Sequence, residues 1–279
     1  MEVAFWSNIG GRNAVTSNLA AISVMLALEK GCQSVLFENH CQRMNLERMF
    51  VKKNSVNLLR EEENYFYNHK GMDSLIKKMH SNLYSKDTFL KSSLNFLDNG
   101  ICYIPQSRLM NRDLFEYELN QVIEAFLEYM REVSLLTLID TACNKNLSTK
   151  VILSKADLVV VNLSQDPEIL SEFFKKYASI KSKAVYLIGN YDYNSRFNLF
   201  NIRRKYHINR EQISVIPHNT AFHDSLMSGE IISFLLHNQK CRKEDENYYF
   251  IKELKKAANM IYKRFNVTNP SFRENMIKG

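Results

Sequence analysis

The chain has 279 residues, is 45% hydrophobic and carries a formal net charge of +7, which suits one large domain or two small ones. Its five cysteines are odd in number, far apart and without a CxxC pair, so they suggest neither a zinc site nor a disulfide framework. No apolar run reaches the length of a membrane span, no repeat or low-complexity tract occurs, and the scattered basic residues read as a solvated, mildly basic surface.

In chain order, Val3 to Trp6 is a short apolar run before a Gly pair and predicts the first strand. Thr16 to Lys30 has the apolar spacing of a helix, with Gly31 as its stop. "SVLF", residues 34–37, predicts a buried second strand. Residues 42–97 read as largely helical and charged, clearest at "GMDSLIKKMHS", residues 71–81. "GICYIP", residues 100–105, is a further strand, followed by a strongly periodic helix over 112–130. "SLLTLID" (134–140), "ADLVVVNLS" (156–164), "KAVYLIGNYD" (183–192) and "ISVIPHN" (213–219) complete the strands. A last helix is expected over about 245–265.

Continuous apolar strands separated by helices predict a parallel sheet covered on both faces. The fold class expected is therefore a three-layer α/β/α domain over residues 1–265, with 266–279 as a C-terminal tail. Ligands of such sheets sit at the carboxyl ends of the strands. Four marked features fall there: the loop over residues 8–18, the stretch Glu38 to His40, Asp140 and Asn190.

The loop "IGGRNAVTSN" has the outline of a phosphate cradle. Gly10 and Gly11 permit close backbone approach, and Thr16 or Ser17 offers a hydroxyl to a metal. It carries no lysine; Arg12 is its only cation, and a planar guanidinium is a poor substitute for a point charge beneath phosphates. The plainer alternative is a Gly turn leading into a helix capped by Thr16 or Ser17. After the second strand, Glu38 is the only carboxylate, and His40 taken alone reads as a structural or surface histidine.

The order "GGRNAVTSNLAA", "SVLFENH", "LLTLIDTA", "ADLVVVNLSQDPE", "YLIGNYD" and "VIPHNTAFHDSLMSGE" resembles the ParA/MinD family of deviant Walker ATPases, and within it the degenerate branch of the TadZ and CpaE pilus-assembly proteins. The resemblance spans roughly residues 2–236. It implies a P-loop NTPase-like fold, ATP with Mg²⁺ as cofactor and a homodimer. Gly10 and Gly11 match the Gly pair of the family's KGGxGKTT loop. Without a gap, Asn13 falls at its third Gly, Ala14 at its lysine, and Val15 and Thr16 at its two threonines. Shifted by one, Ala14 takes that Gly, Val15 the lysine and Thr16 the metal-binding threonine; the shift is preferred because it keeps the hydroxyl.

The family's second lysine, before the Gly pair, is also absent, since Ser7, Asn8 and Ile9 stand there. Asp140 matches the Walker B acid that holds Mg²⁺ through water. Asn190 matches the asparagine that recognises adenine, and Pro217 and Asn219 lie where the base packs. The resemblance implies a localisation or assembly factor for a Tad/type IV pilus or secretion machine, with weak or absent ATP turnover. The alternatives are an active partitioning ATPase and a nucleotide-independent scaffold.

The amino-terminal "MEVAFWSN" lacks a secretory pattern, so a cytoplasmic protein is expected. The last helix, "FIKELKKAANMIYKRF", has an apolar side and a basic side. That pattern serves either peripheral contact with the inner face of the membrane or packing on the sheet. DNA is a lesser partner.

Overall fold

The central strand β1 (Glu2–Trp6) is buried along its whole length and pairs in parallel with β5 (Thr137–Asp140) on one side and β6 (Leu158–Leu163) on the other. β2 (Ser34–Glu38) lies against β5, β4 (Ile101–Tyr103) against β2, and β3 (Leu94–Phe96) closes that edge antiparallel to β4. On the other side β7 (Ala184–Tyr191) and β8 (Ile213–Pro217) extend the sheet in parallel. The order is β3-β4-β2-β5-β1-β6-β7-β8, a mostly parallel sheet with helices on both faces. The structure is a computed structural model and describes residues 1–42, 44–52, 70–106 and 110–268.

The inner strands are unbroken apolar runs because both of their faces are covered. One face carries α1 (Val15–Lys30), whose Leu19, Ile22, Met25 and Leu26 meet Phe5, Leu138, Val160 and Leu187 of the strands. The other carries α5 (Arg112–Val133), α6 (Leu147–Lys155) and α7 (Pro167–Lys176), with Phe126, Ile152 and Phe173 packed over Phe37, Ile139 and Val161. α8 (Leu199–Tyr206) adds Ile202 to that second core. In α1 every residue from Asn18 to Leu26 is buried, since the helix lies on the sheet with further helices packed against it.

On that side lie α9 (Thr220–Ser228), α10 (Ile231–Asn238) and α11 (Tyr248–Thr268); α10 and α11 pack on α1, and α11 also lies on β8. Phe250, Ile251, Leu254, Ala258, Ile261 and Phe265 of α11 are buried in the α1-side core, while Lys252, Lys256, Lys263 and Arg264 stay exposed. The apolar side of this helix is therefore spent on the protein's own core, the packing alternative of the two that its pattern serves. The helix also runs three residues beyond the expected domain end, to Thr268; the rest of the expected tail lies outside the described residues.

The stretch read as largely helical holds α2 (Leu46–Phe50), α3 (Gly71–His80) and α4 (Lys86–Ser92), and then the strand β3, which the periodicity did not show. β3 has three residues, is only partly buried and bonds on one side, so it leaves no apolar run to read. Residues 43 and 53–69 of that stretch lie outside the described residues.

Candidate nucleotide and metal site

The carboxyl ends of β1, β2, β5, β7 and β8 open onto one cleft of about 310 Å³, the lower end of ligand-pocket sizes. Gly10, Gly11, Arg12, Asn13, Ala14, Val15, Thr16 and Ser17 all line it, as do His40, Asp140, Asn190, Pro217 and Asn219. The sheet thus brings together residues that the sequence spreads over 210 positions, because parallel crossovers return every strand to the same end.

The loop after β1 is built for close approach. A Cβ on Gly10 would stand 2.8 Å from Cys143 Sγ, and Gly11 has φ +77°. Ala14 is also left-handed, at φ 54° and ψ 36°, and forms the N-cap of α1 with no side-chain cap bond. The expectation that Thr16 or Ser17 caps the helix is therefore corrected: both lie within its first turn, and Ser17 Oγ donates to Ala14 O at 3.1 Å. Ala14 takes the left-handed backbone that favours glycine, at the position to which the shifted alignment gives the family's glycine.

A buried amide network fixes this loop. Asn13 Nδ2 donates to Ser7 Oγ at 2.6 Å and to Asn162 O at 3.2 Å. Asn18 Nδ2 donates to Asn162 Oδ1 at 2.8 Å. The sequence reading singled out Asn13 only as a loop position, and missed Asn18 and Asn162. The available signal was Asn162 itself, a polar residue inside the apolar run "LVVVNL" that must be satisfied once buried.

Beneath the loop, Glu38, His40 and Asp140 are buried, at 0%, 5% and 1% exposure. Parallel pairing of β2 with β5 sets Glu38 beside Asp140 in register. His40 follows two residues on and turns inward, with Nε2 at 3.3 Å from Asp140 Oδ2. Tyr103 OH donates to Glu38 Oε2 at 2.7 Å and the Leu46 N–H to Oε1 at 3.1 Å. Burial alone lowers the His40 pKa, but the Asp140 carboxylate, with Glu38 behind it, outweighs this and raises it to about 9. Burial pushes the Glu38 carboxyl up, against the opposing pull of His40. His40 is thus a buried partner of the acid, which corrects the surface half of its reading as a structural or surface histidine.

At the far end, Asn190 is exposed with φ 46°, at an irregularity in the pairing of β7 with β8. Asn219 Oδ1 caps α9 through the Phe222 N–H at 2.7 Å, and its Nδ2 donates to Asn247 Oδ1 at 2.8 Å. Its amide is committed to the turn and to α11. Pro217 ends β8 on the cleft wall.

The donor set fits Mg²⁺ with a phosphate in kind. Thr16 supplies a hydroxyl, Gly10 keeps clear the space a Cβ would fill, and the buried Asp140 Oδ2 accepts no aligned hydrogen bond. The charge is thinner: among the described lining residues Arg12 is the only lysine or arginine, and it is exposed.

No family model and no curated protein matches the chain in sequence. Its fold is that of solved ATPases. The cell division ATPase MinD of Pyrococcus furiosus superposes with a TM-score of 0.66 at 13% identity, over 94% of this chain and 98% of that one. A ParA family ATPase from Chlorobium tepidum gives 0.65 at 14%, over 92% and 96%. The septum site-determining protein MinD of Pyrococcus horikoshii, complexed with Mg-ADP, gives 0.65 at 11%, over 93% and 95%. The expected P-loop NTPase-like α/β fold is the observed one.

Proposed function

We propose that this chain is a degenerate ParA/MinD-like positioning protein that binds an adenine nucleotide with Mg²⁺ weakly, turns it over little or not at all, and works as a homodimer on a larger assembly. The observation that carries the reading is the composition of the cleft. It keeps the Gly10–Gly11 cradle, Thr16 and Asp140 in one place, yet among its described lining residues has no lysine. Charge-assisted hydrogen bonds to phosphate contribute roughly 1.5–3 kcal/mol each, and such groups matter most where charge develops in phosphoryl transfer. Turnover falls further than binding. A pilus or secretion machine is the assembly we propose, following the resemblance of the loop and of "VIPHNTAFHDSLMSGE" to the pilus-assembly branch.

The experiment is calorimetry of the full chain with MgATP and MgADP, with Thr16→Ala as control. Binding that Thr16→Ala weakens supports the reading. No binding at millimolar nucleotide overturns it in favour of a nucleotide-independent scaffold. One observation favours that second reading: the loop is already held by Asn13, Asn18 and Asn162 without a phosphate.

A further inference from the structure

We propose that Glu38, His40 and Asp140 form a site for a transition-metal dication, bound by protein ligands alone and independent of nucleotide. This site shares Asp140 with a nucleotide-linked Mg²⁺ at Thr16 and Asp140 but takes Glu38 and His40 as its other ligands and a different ion.

The geometry comes first. One ligand atom from each residue lies within 4.8 Å of the other two, and all three residues are buried. His40 Nε2 and Asp140 Oδ2 are 3.3 Å apart. Two ligands of a tetrahedral ion with bonds of about 2.0–2.2 Å are separated by about 3.3–3.5 Å, so this edge is already formed.

A second observation points to a cation. Asp140 Oδ2 is buried and faces His40 Nε2 at 3.3 Å with no aligned hydrogen bond, and Glu38 sets a second buried carboxyl beside that pair. An ion between the three residues displaces the proton that His40 otherwise holds, and two carboxylates with the resulting neutral imidazole balance a dication.

The outer contacts match those that orient metal ligands. Tyr103 OH and the Leu46 N–H hold the two oxygens of Glu38, at 2.7 and 3.1 Å. An imidazole nitrogen selects Zn²⁺, Co²⁺, Mn²⁺ or Fe²⁺ over Mg²⁺, which prefers oxygen ligands and retains its waters. His40 and Asp140 reach the wall of the cleft, the side from which water or an anion would complete the coordination.

The competing account is a self-contained ion pair that neutralises buried charge and binds nothing. The test is titration of the nucleotide-free full chain, stripped with chelator, with Co²⁺ followed by its visible absorption, then with Zn²⁺ in competition. The expected result is one equivalent of Co²⁺, displaced by Zn²⁺ and not by millimolar Mg²⁺. Affinity falls at least tenfold in His40→Gln and is unchanged in the double variant His218→Gln/His223→Gln. X-ray absorption of the Zn²⁺-loaded wild type, which does not depend on any variant folding, shows imidazole and oxygen donors. Absence of stoichiometric Co²⁺ binding, unchanged binding in His40→Gln, loss in the His218/His223 variant, or sulfur donors each overturn the site. None of these readouts uses nucleotide, so the result is separable from the calorimetry with MgATP.

Discussion

His40 Nε2 lies 3.3 Å from Asp140 Oδ2, inside the protein and under the loop that begins α1. The pair joins the stretch after β2 to the end of β5. Removing one partner of a buried ion pair leaves the other uncompensated, at a cost of about 3–5 kcal/mol. Urea denaturation is expected to show losses of that order for both His40→Ala and Asp140→Ala. The double variant is expected to lose clearly less than the sum, because the second removal takes away the orphaned charge. Additive losses would show that the two groups are not coupled.

The same cluster gives the metal-free, nucleotide-free protein a pH dependence with a defined sign. His40 is raised from 6.5 to about 9, so its stabilisation is full below pH 6.5 and lost as the pH rises through 9. Glu38 is raised above its ordinary 4.5; a carboxyl shifted that way also favours the folded state at low pH and loses that contribution as pH rises. Both act in one direction. The urea midpoint is expected to fall between pH 6.5 and 9.5, and His40→Gln is expected to flatten that fall. A midpoint that rises over this range would contradict the assignment.

Ala14 holds a left-handed backbone at φ 54°, which costs an L-residue roughly 1–2 kcal/mol relative to glycine. Ala14→Gly is expected to stabilise the protein by about 1 kcal/mol, read as a higher thermal midpoint. Gly229 behaves oppositely. It has φ +74°, and a Cβ there would stand 2.0 Å from Val51 O, where only backbone movement relieves the overlap. Gly229→Ala is expected to cost about 3 kcal/mol or more, which separates the end of α9 from the end of α2.

Val15 lines the cleft at the first position of α1, where the shifted alignment puts the family's lysine. Under the proposed function, Val15→Lys adds a charge-assisted contact to phosphate. MgATP affinity is expected to increase roughly ten- to hundredfold, measured by calorimetry against wild type. No gain would mean that the loop does not present this position to a phosphate.

The sequence by itself determined the elements that carry their own signal. β1, β2 and β5 to β8 were legible as apolar runs because strands covered on both faces leave no polar alternation. α1 and its Gly31 stop, α5 and the glycine loop followed from local periodicity and turn chemistry. Local signals fade at the edge, so β3 passed unread. The placement of Gly10, Thr16, Asp140, Asn190 and Pro217 at one end of a sheet followed from the fold class.

Only the tertiary structure decided what those residues meet. The register of β2 on β5 sets Glu38 against Asp140, and the turn after β2 aims His40 inward. Asn162 completes the loop from a strand far along the chain, and α11 spends its apolar side on α1 and β8. These relationships join residues many positions apart. Periodicity along a chain records which face of an element is apolar, whereas sheet register and helix docking choose the partner of that face.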